Sequence, residues 1–178
     1  MEDNTQLSLQ LKNEAVKLGL CKQWTEAWKD NTTQQELINK FIRGYDFCLK
    51  HNWPSVDFIC NNFDEALLHK NGIIARGRYS FLNPETCIVM GDGTQATIRI
   101  NGRHPSRIYL NGGTSTKIIV KTSELVIIEA RDDAAFEVMA EGDYDHNIVV
   151  YDYSPHTIFP TLPDCVKYKR LKDYIHEA

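Results

Sequence analysis

Several groups of residues in this 178-residue chain carry side chains able to do chemistry. Cys48 and His51 lie three apart and are followed by Cys60 and His69, so a four-ligand zinc site can be drawn from them. Zinc modules keep tighter pairs on both sides, and Cys48 also falls on the apolar stripe of a helix. Buried free thiols and no metal are therefore expected. Asp143, Asp145 and His146 offer donors to a cation, but the glycine-rich nonapeptide of calcium-binding β-rolls is missing, and a solvated turn is the expectation. His104 and Ser106 flank Pro105 without the surroundings that activate a nucleophile. Gly91-Asp92-Gly93 leads into more strand rather than into a helix, so it is not a phosphate loop. No catalytic residues and no cofactor follow from these groups, and we expect a non-enzymatic protein.

Arg99, Arg103, Arg107 and Lys117, with Tyr109 among them, fall on outward or turn positions of consecutive strands. Guanidinium groups beside an aromatic ring can hold a phosphate, so a small anionic ligand is the alternative expectation. The charge is unevenly spread. From Gly72 to Lys121 seven basic residues face Glu85 and Asp92, whereas from Thr122 to Tyr153 Arg131 faces nine acidic residues. Either these charges solvate a β surface, or the two halves attract a neighbouring copy head to tail, or the basic half holds an anion. The acidic stretch and the formal net charge of -4 exclude general nucleic-acid binding.

The first elements that must position these residues are helices. Leu7, Leu11, Ala15 and Leu18 give a first amphipathic helix, and Trp24 and Trp28 share a face of a short second one. Asn31-Thr32-Thr33 supplies a cap, with Thr33 and Glu36 spaced as a capping box for a third helix that runs to about Lys50 on the stripe Leu37, Phe41, Tyr45 and Cys48. Ser55 caps a fourth, with Ile59, Phe63 and Leu67 inward, which Asn71-Gly72 closes. Trp24, Trp28 and Trp53 are the candidate contact residues of this head. From Ile73 to Glu85 we expect a lead-in strand or a loop.

From Thr86 to Val150 an apolar column recurs every ten residues: Ile88, Ile98, Ile108, Ile118, Ile128, Val138 and Ile148. Turn-formers such as Asn101-Gly102 and Asn111-Gly112-Gly113 separate the units. In a parallel β-solenoid of two strands per coil, Ile98 would stack on Ile118, and Ile88, Ile108, Ile128 and Ile148 would form the other ladder. An antiparallel meander or sandwich is the alternative, since Asn-Gly turns favour hairpins. The outward residues Ile119, Ile127, Met139 and Val149 form an apolar strip, expected to be covered by the helices, the tail or another subunit.

The fold class expected is therefore α+β: a helical head (1–71), a β-repeat domain (72–153) and a proline-rich extended tail (154–178). A short final helix from Asp164 would carry Val166, Leu171, Tyr174 and Ile175. No apolar run is long enough to cross a membrane, the opening MEDNTQLSLQ lacks the pattern of a signal peptide, and five unpatterned cysteines argue against a disulfide framework. A cytoplasmic protein is expected.

GLCKQW (Gly19–Trp24), ELINKFIRGYDFCLKH (Glu36–His51) and WPSVDFI (Trp53–Ile59) resemble the amino-terminal part of a group of uncharacterised Bacteroidales and phage or mobile-element proteins, in which a similar head precedes β repeats. The resemblance implies a bacterial or phage cytosolic setting and transfers no site residues. The functional expectation is an interaction or structural protein that self-associates or binds a protein partner through its β-repeat body. The alternative is a binder of a nucleotide or other anion that sequesters a signalling molecule or inhibits a host defence system.

Overall fold

The computed structural model describes residues 4–29, 32–155 and 160–172. Among these described residues six helices come first: α1 (Thr5–Lys17), α2 (Lys22–Ala27), α3 (Gln34–Arg43), α4 (Tyr45–His51), α5 (Val56–Asn62) and α6 (Glu65–Lys70). Their starts follow from side-chain caps. Thr33 accepts from the Glu36 backbone N–H, and the Glu36 carboxylate accepts in return from Thr33 N at 2.8 Å. Ser55 accepts from Phe58 N in the same way. Asn31, the first residue of the expected cap, lies outside the described residues.

Two expected long helices are each broken once. Gly44 divides the third into α3 and α4, as befits a residue that costs a helix interior ~1 kcal/mol relative to alanine. The fourth is interrupted at Phe63-Asp64, because the Asp64 carboxylate accepts from Leu67 N at 2.7 Å and so founds a new helix start.

Ten strands follow among the described residues: β1 (Ile73–Ile74), β2 (Arg78–Leu82), β3 (Thr86–Val89), β4 (Gln95–Ile100), β5 (Ser106–Leu110), β6 (Ser115–Val120), β7 (Leu125–Ala130), β8 (Ala135–Ala140), β9 (Asn147–Asp152) and β10 (Val166–Arg170). They alternate between a six-stranded sheet, β1-β3-β5-β7-β9-β10, and a four-stranded sheet, β2-β4-β6-β8, with every pair parallel. The protein is a β-solenoid of about four coils. Ile98 lies opposite Ile118, which lies opposite Val138, and Ile108 lies opposite Ile128, all sealed from water.

The Asn-Gly segments are coil corners, not hairpins. Gly112 takes φ +70, and its N–H donates to Asp132 of the next coil at 3.1 Å, while Gly113 N donates to Asp92 of the previous one at 2.8 Å. Such bonds tie each corner to its neighbour, which a reversing chain would not require.

The ten-residue count slips twice. The β3–β4 connection is one residue longer than its later equivalents, so Cys87, not Ile88, lies opposite Ile108. A one-residue shift exchanges the faces of a strand. Cys87 and Val89 therefore enter the solenoid interior, while Ile88 turns outward beneath the helices. The β8–β9 connection is longer by two, which preserves the face: Ile128 meets Val150 and Ile148 meets Val126. The lead-in segment is itself structured, as β1 and β2 complete a first coil.

The head packs on the outer face of the six-stranded sheet, where Ile73, Ile88 and Tyr109 join Ile38, Tyr45, Leu49, Ile59 and Leu68 in one core. The Tyr45 hydroxyl accepts from Asn111 Nδ2 at 2.6 Å, fixing α4 to a corner of the solenoid. The tail closes the opposite end. Thr161 bridges to Glu137 beside β8, Leu162 packs on the interior, and the chain returns to the six-stranded sheet as β10. The expected helix from Asp164 is thus a strand, at least through Arg170, because Val166 and Tyr168 extend the apolar interior at period two. Tyr174 and Ile175 lie outside the described residues. No helix among the described residues is long and apolar enough to cross a membrane.

Candidate functional site

The expected anion-binding residues do not converge. Arg107 and Tyr109 project from the six-stranded sheet, Arg99 and Lys117 from the four-stranded sheet, and Arg103 stands at a corner. Lys117 is paired with Glu137 at 3.0 Å and Arg107 with Glu129 at 3.5 Å. The buried Arg131 also reaches Glu129, lying 3.7 Å from its carboxylate and 3.9 Å from the centre of the Tyr153 ring. Burial nevertheless holds the Glu129 carboxyl above the usual range, against the pull of Arg107 and Arg131.

The expected apolar strip is also divided, since neighbouring units belong to different sheets. Ile119 lies opposite Met139 on one sheet, and Ile127 opposite Val149 on the other. Ile119 is buried, but Met139 is 38% exposed, which corrects the expectation of a single covered strip. Ile127 and Val149 are partly buried on the sheet that the helices cover only over its first coils.

Nor do the other groups assemble. Ser106 is buried inside the solenoid while the His104 ring lies against the Pro105 carbonyl outside it. His69 stacks on Tyr79 at 3.8 Å between ring centres, His51 lies against Phe47, and Cys48 is buried. No group of three or more His, Cys, Asp and Glu able to hold a metal ion occurs among the described residues. All five cysteines are free.

The three tryptophans do converge. A cavity of about 370 Å³ opens within the head, and Trp24, Trp28 and Trp53 all line it, together with Leu11 and Ala15 of α1, Leu37 and Phe41 of α3, and Phe47 of α4. Each wall has a local cause. Lys12 Nζ donates to the Trp28 carbonyl at 3.0 Å and Trp28 Nε1 donates to Ser8 Oγ at 3.0 Å, which hold the segment after α2 against α1. Trp53 Nε1 donates to Glu14 at 2.9 Å, a bond that lowers the Glu14 pKa and ties the α4–α5 connection to the same helix. The break at Gly44 turns α4 away from α3 close to Trp24: a Cβ there would meet the indole at 3.8 Å.

The cavity is lined almost wholly by apolar groups, and its size lies at the lower end of the range for small-molecule sites. Burial raises the Cys48 thiol at its wall to about 12, with Asp46 adding to the shift, so this sulfur stays protonated and unreactive at neutral pH. The arrangement can therefore take up an apolar group; of the two thiols that line it, Cys48 is buried and Cys21 is exposed. The sequence singles out the three tryptophans as candidate contact residues, and the structure places all three on one cavity. The hollow between them was not recognisable in the sequence, because it arises from how short helices meet; the visible signal was Gly44 inside an otherwise continuous helical pattern.

Comparison with protein-family models, with curated proteins and with solved structures finds no match.

Proposed function

We propose that this is a non-enzymatic binding protein in which the solenoid serves as a stiff support and the helical head receives an apolar ligand or an apolar anchor of a partner. The observation that carries this reading is the convergence of Trp24, Trp28 and Trp53 on one apolar cavity of about 370 Å³. All three tryptophans of the chain line it, so emission excited at the red edge, beyond tyrosine absorption, reports on that cavity. Titration with 1-aminoanthracene, a largely apolar probe, is expected to change the tryptophan emission saturably. Ala15→Phe, which fills the cavity from α1, should abolish the response while the melting transition persists. A non-saturable response in the parent protein would remove the reading.

A second reading, association through the β-repeat body, is favoured by the edge of the four-stranded sheet. Among the described residues β2 pairs with β4 alone, and Leu82 is 66% exposed beside that edge. Open edges recruit further strands. Sedimentation at rising concentration should then reveal a self-associating species that Ser80→Pro eliminates; a monomer throughout counts against it.

A further inference from the structure

We propose that the head cavity takes the hydrocarbon chain of an anionic amphiphile, with the anionic group held at its mouth by Lys40 and Arg43. The proposal rests on the reading of the head as a binding module and adds the chemistry of the ligand.

The interior selects against polar matter. Two of its three indole N–H groups are already committed, Trp28 to Ser8 and Trp53 to Glu14. A polar group carried inside would lose its water and find few partners. A flexible aliphatic chain has no such cost. The charged residues of the lining are Lys40, Arg43 and Asp46, from α3 and the start of α4. Arg43 and Asp46 are exposed and Lys40 is partly so, which places the charges at the rim.

At that rim a second, shallow hollow of about 210 Å³ adjoins the cavity; it shares Lys40 and Arg43 and adds Lys29. Its one acid, Glu36, is engaged by Thr33 N and Thr33 Oγ1 at the start of α3, which lowers its pKa. Asp46 acts electrostatically on Arg107 of the solenoid, so part of its charge is answered there. The Lys40 ammonium lies 5.4 Å from the Trp28 ring centre, directly joining the cationic rim to the apolar wall. Lys29, Lys40 and Arg43 form no ion pair among the described residues. Lys29 and Lys40 also act on the Glu36 carboxylate, but three cations face this one acid in the hollow. Such an excess of positive charge beside an apolar hollow matches a molecule that is apolar along its length and negative at one end.

The test compares ligands of one chain length, laurate, dodecyl phosphate and dodecanol, below their aggregation concentrations, by calorimetry and tryptophan fluorescence on the full chain. Laurate or dodecyl phosphate is expected to bind roughly tenfold more tightly than dodecanol, the effect of two exposed charge contacts. Lys40→Gln with Arg43→Gln should remove that preference and bring the three ligands to similar affinity; both positions reach solvent, so the fold should persist. Equal affinity for the acid, the phosphate and the alcohol would overturn the proposal and leave the apolar cavity as a binding site. Failure of all three to bind would overturn both readings.

Discussion

Lys117 Nζ lies 3.0 Å from Glu137 Oε1, directly across the β6–β8 register. Lys121 and Glu141 repeat the pairing at 2.6 Å just past the ends of the same strands, and on the other sheet Arg107 reaches Glu129 at 3.5 Å along a diagonal of the register. The basic first half and acidic second half of the repeat are thereby folded against one another within the molecule. Part of the uneven charge along the chain is thus used in contacts between successive coils.

This pairing makes a charge reversal informative. Both side chains are partly exposed, so the pair contributes modestly. Lys117→Glu sets two carboxylates opposite each other and should lower stability by about 0.5–1 kcal/mol. Adding Glu137→Lys restores opposite charges, and the double variant should return to within a few tenths of the parent. Urea midpoints of the four proteins give the coupling directly, and additive single effects would refute the pairing.

Thr116 tests the interior. It is buried between Ala96 and Phe136 in the register, and its hydroxyl has no hydrogen-bond partner. An unmatched buried hydroxyl costs about 1–3 kcal/mol, so Thr116→Val, of nearly the same shape, should raise the urea midpoint by the equivalent of about 1 kcal/mol. Thr122→Val is the opposite control. The Thr122 hydroxyl donates to the Gly102 carbonyl at 2.9 Å and accepts from Glu124 N at 3.2 Å, and its loss should destabilise.

The solenoid was legible in the sequence because stacking imposes an even period on both sheets, and Ile98, Ile118 and Val138 keep it without error. The period failed at Ile88 for a physical reason. That residue is apolar because the helices cover it, and its apolarity imitated membership of the interior column while Cys87 took the true position. The tail misled in a related way. Val166, Tyr168 and Arg170 are spaced for a strand, but a single edge strand flanked by lysines gives too weak an alternation to outweigh a helical reading. The candidate site was legible residue by residue in the tryptophans, whereas Lys40 and Arg43 looked like the ordinary polar face of α3.

Gly72 and Gly77 separate two causes of glycine dependence. Both have positive φ, +77 and +85, where an L side chain is strained by about 1–2 kcal/mol. At Gly77 an added Cβ meets nothing within 4 Å, but at Gly72 it would stand 2.1 Å from the Thr86 carbonyl oxygen. That carbonyl belongs to β3, so relief would require parting the end of α6 from the first coil. Gly77→Ala should cost only the strain term and leave a folded protein, whereas Gly72→Ala should cost several kcal/mol or prevent folding. Circular dichroism melts of the two variants make the comparison, and equal losses would contradict the close approach.

The cysteines test the register slip itself. Cys87 is fully buried inside the solenoid, and burial pushes its thiol far above the ordinary range; Cys48 is raised to about 12 for the same leading reason. The thiolate is the reactive form, so both should be inert to a disulfide reagent at pH 8 until the protein unfolds. Cys21 and Cys165 are exposed, and Cys60 is partly so. Two thiols should therefore titrate rapidly in the native protein, a third slowly, and the remaining two only at the unfolding rate, with all five reacting in denaturant. Mass mapping of the modified peptides assigns each one. Rapid labelling of Cys87 in the native state would place it on the outer face, restoring Ile88 to the interior and removing the one-residue shift between β3 and β4.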